Sequence, residues 1–148
     1  MKIVNKKRDM TNELILRFCI WDFDDISHDE ITRLIGVEPC KIYIKGQKKN
    51  PNFSVLATYN GWLMNAPNCD KLSPFEEQLN SLLEVLEGKR DLLLLFSKKY
   101  TCEFSCAVYI NDAKNDSTPS VHLPYRYNNL VGGLNIAFDL DLYCMADG

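Results

Sequence analysis

The sequence lacks the long apolar runs of membrane-spanning and secreted proteins. No apolar stretch is longer than that of Leu92–Phe96, whereas a helix that crosses a bilayer needs about 20 apolar residues. The charged start, residues 1–9, leads into no apolar stretch and no small-residue cleavage site, so we expect no signal peptide. The sequence therefore predicts a cytoplasmic protein without a membrane partner.

A basic overall composition is also missing. The formal net charge is −3, whereas a nucleic-acid-binding domain carries a basic face. Lys45, Lys48 and Lys49 with Tyr43 and Tyr59 could form a stacking platform of the kind that binds single strands. The RNP1 pattern of aromatic residues is absent, however, so the sequence predicts no nucleic-acid partner.

Catalytic patterns are absent as well. The chain has two histidines, His28 and His122, and neither belongs to a nucleophile elbow or a cysteine-protease signature. Gly132 and Gly133 precede a strand and do not form a phosphate-binding loop. We therefore expect no catalytic residues, no cofactor and no enzymatic activity.

The six cysteines are scattered without a CxxC pair. Cys102 and Cys106 lie on one predicted strand, which places their Cα atoms about 13 Å apart, whereas a disulfide needs less than about 7 Å. Reduced, mostly buried thiols are typical of a cytosolic protein.

The hydrophobic pattern predicts one α+β domain, residues 13–148, after a flexible leader, residues 1–12. Leu14, Leu16, Phe18 and Ile20 alternate with a second, largely apolar set, which indicates a central strand covered at least in part on both faces.

Helices are predicted over 27–36, 73–88 and 127–134. Strands are predicted from 14, and over 40–45, 53–59, 62–64, 102–110, 121–123 and 136–143. Because helices and strands do not alternate strictly, a mainly antiparallel sheet with helices packed on it is expected. Its arrangement is either ferredoxin-like or an imperfect repeat of strand–helix–strand units.

Helix boundaries carry the clearest local signals. Ser27 and Glu30, and again Ser73 and Glu76, have the spacing of a capping box. Gly36 suits the left-handed position after the first helix. Residues 91–99 fit either a short helix or a buried strand.

Acidic residues follow or line two predicted strands. Asp22 and Asp24 end the first strand, and Asp139 and Asp141 share a face of the last one. If these strands were neighbours, the four carboxylates would meet and could hold Mg²⁺ or Ca²⁺. Solvated strand ends and a favourable charge at a helix start are the preferred explanation of these residues.

Large aromatic residues lie near the ends of predicted elements. Trp21, Trp62, Tyr125 and Tyr127 are the candidates for a cleft or a partner-binding surface. Closure of the hydrophobic core is the alternative explanation for each of them.

The order of these elements resembles a mostly bacterial family known as domain of unknown function 4279. The residues that carry the resemblance lie between about 13 and 143: the strand Leu14–Phe23, the helix Asp29–Leu34, Ile35–Pro39, Lys45–Gly46, Trp62–Leu63, the helix Ser73–Leu86 and Leu140–Tyr143. The resemblance implies a small intracellular α+β domain with no assigned activity or catalytic residues.

Three functional hypotheses follow. The first is a non-enzymatic binding or interaction protein, such as an immunity protein that neutralises a toxin-like partner. The second is a metal-binding domain or metal-assisted hydrolase that uses the acidic residues. The third is a small-molecule sensor with an aromatic-lined pocket near Trp21 and Trp62.

Overall fold

A computed structural model describes residues 11–112, 114 and 118–145, which form a five-stranded sheet with helices on one face. The strands are β1 (Glu13–Trp21), β2 (Lys41–Tyr43), β3 (Gly61–Asn65), β4 (Thr101–Ile110) and β5 (Ile136–Cys144). The helices are α1 (His28–Ile35), α2 (Phe75–Leu86), α3 (Arg90–Lys99), which follows a 3₁₀ turn at Glu87–Lys89, and α4 (Tyr125–Val131). The predicted α+β class is confirmed. Residues 1–10 of the predicted leader lie outside the described residues.

The strand order is β2-β3-β1-β4-β5, and the first four strands pair antiparallel with one another. This is the ferredoxin-like order of a β-α-β-β-α-β unit. After α4, β5 adds parallel to β4. The units β1-α1-β2 and β4-α4-β5 share a pattern of elements, but β3 separates β1 from β2 while β4 and β5 pair directly. The predicted repeat of strand–helix–strand units is therefore a repeat of element order and not of sheet topology.

β1 lies at the centre of the sheet, as predicted. Leu16, Phe18 and Ile20 are fully buried in one core with the inner side chains of all four helices. Arg17, Cys19 and Trp21 point to the opposite face, because side chains alternate along a strand. None of the described helices packs on that second face, which we call the open face. The predicted cover of both faces is therefore only partial: Cys19 is buried on the open face, but by neighbouring side chains of the sheet and loops.

The buried Gln78 completes the first half of β1. β3 pairs only with residues 17–21 of β1, which leaves backbone groups without a strand partner on that side. The side chain of Gln78 accepts a 2.9 Å hydrogen bond from Leu16 N and donates a 2.8 Å hydrogen bond to Leu14 O. It also donates to Ser73 O, so α2 holds both the strand and the loop before the helix.

One of the two predicted helix starts is confirmed in part, and the other is wrong. Ser27 Oγ accepts a 3.1 Å hydrogen bond from Glu30 N, and Gly36 follows α1 with a φ of 84°. Glu30 does not complete the capping box, since its carboxylate pairs with Arg33. The predicted box at Ser73 is wrong: Pro74 occupies the cap position, and the Ser73 hydroxyl accepts from Asp70 N.

Two predicted strands are corrected and one ambiguity is resolved. Residues 53–59 form no strand of the sheet, although Leu56 makes an isolated antiparallel bridge with Lys48. Residues 121–123 form no strand of the described sheet. Residues 91–99 are helical within α3. All six cysteines are free thiols, and no described helix is long and apolar enough to cross a membrane.

Candidate functional site

The open face carries an aromatic pocket at the end of β1. Trp21 pairs with Gly61 of β3, and a Cβ atom at position 61 would lie only 2.5 Å from Cζ3 of the indole. The absent side chain therefore lets the indole lie across β3. There it stacks on Tyr43 of β2, with ring centroids 5.5 Å apart and an interplanar angle of 26°.

Lys49 and residues 57–59 close the pocket beside the two rings. The cavity has a volume of about 190 Å³ and is lined by Trp21, Tyr43, Lys49 and residues 57–59. Lys41 places its ammonium 5.1 Å from the centre of the Tyr43 ring, a cation–π contact. Pockets for drug-sized ligands measure about 300–1,000 Å³. This smaller cavity suits one inserted side chain or ring.

An acidic group adjoins the pocket. Trp21 Nε1 donates a 3.1 Å hydrogen bond to Glu103 Oε1 on β4. Burial, followed by a hydrogen bond with Asp139, raises the pKa of Glu103 to about 7, although the Trp21 hydrogen bond acts in the opposite direction. The negative charges of Asp139 and Asp141 add to the rise. Near neutral pH this carboxyl can therefore donate or accept a hydrogen bond.

The four aromatic residues predicted from the sequence do not share one site. Trp62 is 0% exposed in the core, where its indole N–H donates to Thr32 Oγ1 at 3.0 Å. Tyr127 is buried against Phe104 in an edge-on contact. Tyr125 is 78% exposed on α4. Of the four, Trp21 is the one that lines the pocket on the open face.

The four predicted metal-binding carboxylates are not brought together. Asp22 and Asp24 follow the end of β1, whereas Asp139 and Asp141 lie within β5, and β4 separates the two strands. Among the described residues, no group of three or more His, Cys, Asp or Glu side chains could hold a metal ion. The acidic neighbour of Asp139 is Glu103, which the sequence did not single out, because the pairing of β4 with β5 is a long-range feature.

His28 packs against neighbouring residues of the fold, and the thiols of Cys102 and Cys106 are buried. His28 Nε2 lies 2.8 Å from Tyr43 O, and its ring meets Phe23 edge-on. Burial raises the pKa of Cys102 to about 12 and that of Cys106 to about 11. These two thiols therefore stay protonated at neutral pH, where they are poor nucleophiles.

A second cavity lies near the start of β1, whereas the aromatic pocket lies at its end. It has a volume of about 640 Å³ and runs between the start of β1, the start of α2 and residues 118–126. Its lining includes the apolar Leu14, Phe75 and Leu79 together with His122 and Arg126. Its volume falls in the range of small-molecule sites.

Comparison with known proteins gives one match. The family described as "Domain of unknown function (DUF4279)" matches residues 12–145. No curated protein and no solved structure shows significant similarity to the chain.

Proposed function

The chain belongs to the family of domain of unknown function DUF4279, and we propose that it is a non-enzymatic binding protein whose protein partner docks on the open face of the sheet. The observation that carries the proposal is the pocket at Trp21. It lies on a sheet face that the described helices leave uncovered, and its size suits one side chain of a partner. Aromatic anchor pockets of this kind dominate the energy of many protein interfaces.

The pocket combines rigidity with accessibility. Trp21 is fixed by its stacking on Tyr43 and by its hydrogen bond to Glu103. Tyr59, by contrast, is about half exposed at the rim. A preformed aromatic wall loses little conformational entropy when a partner binds, which supports affinity.

The charges on the β5 side of the open face favour a basic partner segment there. Asp139 and Asp141 lie exposed beside Glu103, on the β5 side of Trp21. Complementary charge accelerates association and selects partners. We infer a toxin-neutralising immunity protein acting in the cytoplasm, with a basic toxin as its partner. Small size and an acidic chain support this step by analogy, and the six free thiols agree with a reducing compartment.

Site-specific photocrosslinking tests the binding proposal. A photoreactive residue placed at position 59 should capture one stoichiometric protein in lysate of the source cells. The same residue at position 95 is the matched control, because Leu95 is also about half exposed but lies on α3. Trp21→Ala should abolish capture from position 59. Equal capture from both positions, or none under several growth conditions, would contradict the proposal.

The immunity step needs its own experiment. Candidate toxins from neighbouring genes are expressed with and without this protein, and growth is measured. Growth should be restored by the wild type and not by a Trp21→Ala, Tyr59→Ala variant. Restored growth with that variant would separate immunity from the open face.

A small-molecule sensor is the second candidate function, and the larger cavity beside Leu14 and Phe75 favours it. A thermal-shift screen of metabolites should then find a ligand whose effect is lost in Leu79→Trp, which would fill the cavity. A ligand whose effect survives that change would bind elsewhere.

A further inference from the structure

A short hairpin projects beyond β2 and exposes apolar side chains. Residues 44–57, which we call the lysine hairpin, are held by backbone hydrogen bonds from Gly46 N to Ala57 O (2.9 Å), Ala57 N to Gln47 O (2.7 Å) and Lys49 N to Val55 O (3.0 Å). A hydrogen bond from Phe53 N to Asn50 O closes its tip. The hairpin is therefore an ordered element.

The tip of the lysine hairpin is unusually apolar for an exposed turn. Phe53 is 64% exposed, Val55 60% and Leu56 53%. Large apolar side chains exposed together mark interaction surfaces. The packing of the domain does not explain them, because the buried residue of the hairpin is Ala57 at its base.

The charge around this tip differs from that of the whole chain. Between Pro39 and Cys69 the sequence has four lysines and no acidic residue, although the complete chain has a net charge of −3. Lys45, Lys48 and Lys49 are all exposed on the hairpin. The lysine hairpin is therefore a basic and apolar projection on an acidic domain.

The chemistry of these residues favours a lipid surface over a protein surface. Protein interfaces are enriched in arginine and depleted in lysine, yet this segment contains lysines and no arginine. Apolar residues flanked by lysines suit the headgroup boundary, where the rings enter the acyl region and the ammonium groups meet anionic headgroups. A projecting tip also reaches a flat membrane without a matching groove.

We propose that the lysine hairpin docks the protein on an anionic lipid surface, with Phe53, Val55 and Leu56 inserted and the lysines on lipid phosphates or carboxylates. One hairpin is a weak anchor, since a stable peripheral attachment usually combines two signals. The interaction is thus reversible and fades as salt screens the lysines. The hairpin adjoins the proposed partner site on the open face, because Lys49 and Ala57 also line the pocket at Trp21, whereas Lys48 and the apolar residues at its tip do not.

Vesicle sedimentation of the full chain tests the proposal. The protein should sediment with vesicles of phosphatidylcholine mixed with phosphatidylserine and stay in solution with phosphatidylcholine alone. Lys48→Glu should lower the partition coefficient more than about fivefold, since each lysine near such a surface contributes about that factor. Phe53→Ser should lower it about as much. Thermal melting should show that both variants are folded, because both side chains are exposed.

Matched variants locate the binding to the hairpin. Lys98→Glu and Leu95→Ser change an exposed lysine and an exposed leucine on α3 and should leave the partition coefficient unchanged. Failure to sediment with the anionic vesicles would overturn the proposal. Equal losses in the α3 variants would also overturn it, as would binding that Phe53→Ser leaves intact, because lipid would then not contact the tip.

Discussion

The indole N–H of Trp21 donates a 3.1 Å hydrogen bond to Glu103 Oε1 between the two central strands β1 and β4. The two residues are diagonal neighbours, since Trp21 pairs with Thr101 and Cys19 pairs with Glu103. This bond joins the aromatic half of the open face to its acidic half. Glu103 is therefore in direct contact with the indole that lines the pocket.

The pH dependence of stability should report Glu103. Burial and the hydrogen bond with Asp139 raise its pKa from 4.5 to about 7, so the folded state holds a proton that the unfolded state has lost. Stability should consequently be greatest below the unfolded pKa and fall as the pH rises from about 4.5 to about 7. Glu103→Gln should remove this fall. Because Glu103 is partly exposed, we expect a gain of about 1–2 kcal/mol at about pH 8.

Urea denaturation of both proteins at acidic and at slightly alkaline pH measures this difference. Glu84→Gln, on the exposed side of α2, controls for the loss of one carboxyl group. An identical pH dependence in wild type and Glu103→Gln would contradict the argument.

Gly61→Ala should displace the Trp21 indole that lines the pocket. The new Cβ would lie 2.5 Å from Cζ3 and 2.7 Å from Cε3 of Trp21, so the indole must move and lose its stacking on Tyr43. Overpacking of this kind destabilises by about 1–3 kcal/mol. Near-ultraviolet circular dichroism should lose intensity, and crosslinking from position 59 should weaken.

Gly88→Ala is the matched control for that change. A Cβ at position 88 would meet nothing within 4 Å. Near-wild-type stability and spectrum are expected there. Equal effects at positions 61 and 88 would argue against contact with Trp21.

Local chemistry made part of this fold predictable. The alternation in residues 14–21 predicts the inner and outer faces of β1, and Ser27 with Gly36 predicts both ends of α1, because these signals depend on neighbouring residues. The alternation in residues 53–59 predicts a strand wrongly. A strand needs a paired neighbour, and the lysine hairpin makes only one bridge with its own other arm.

The site depends on contacts between distant segments, which the sequence conceals. Trp21 and Trp62 look alike as candidates, yet the β1–β3 register sets Trp21 opposite Gly61 and Trp62 opposite Ile20. One tryptophan therefore lies on the open face and the other in the core. Likewise, the insertion of β4 between β1 and β5 separates the acidic pairs that the sequence allowed to converge.

Gln78→Leu should be strongly destabilising although it increases apolar character. Gln78 is 3% exposed, and its amide bonds Leu16 N, Leu14 O and Ser73 O. Leucine would leave these buried backbone groups without partners, each at a cost of about 1–3 kcal/mol. We expect a total loss of about 2–4 kcal/mol, since some groups will find water.

Chemical denaturation measures that loss, with Gln47→Leu on the exposed hairpin as the control. Amide exchange should also quicken at Leu16. Wild-type protection of Leu16 in the variant would show that Gln78 does not complete β1.

Replacing Asp139 and Asp141 by asparagine should promote self-association through β5. No strand among the described residues pairs with the outer side of β5, and such an edge can pair with a second copy. In an antiparallel pair centred on Leu140, Asp139 would face Asp141 of the other copy, so wild-type pairing opposes like charges, which is destabilising.

The double variant Asp139→Asn, Asp141→Asn removes that repulsion and keeps the side-chain shape. Sedimentation velocity should show association that increases with concentration in this variant and less in the wild type. Adding Leu140→Pro should reverse it, because proline removes a backbone donor and disfavours pairing at the edge. Association that persists with proline at position 140 would have to use another surface, and the acidic residues of β5 would then not be what keeps this edge unpaired.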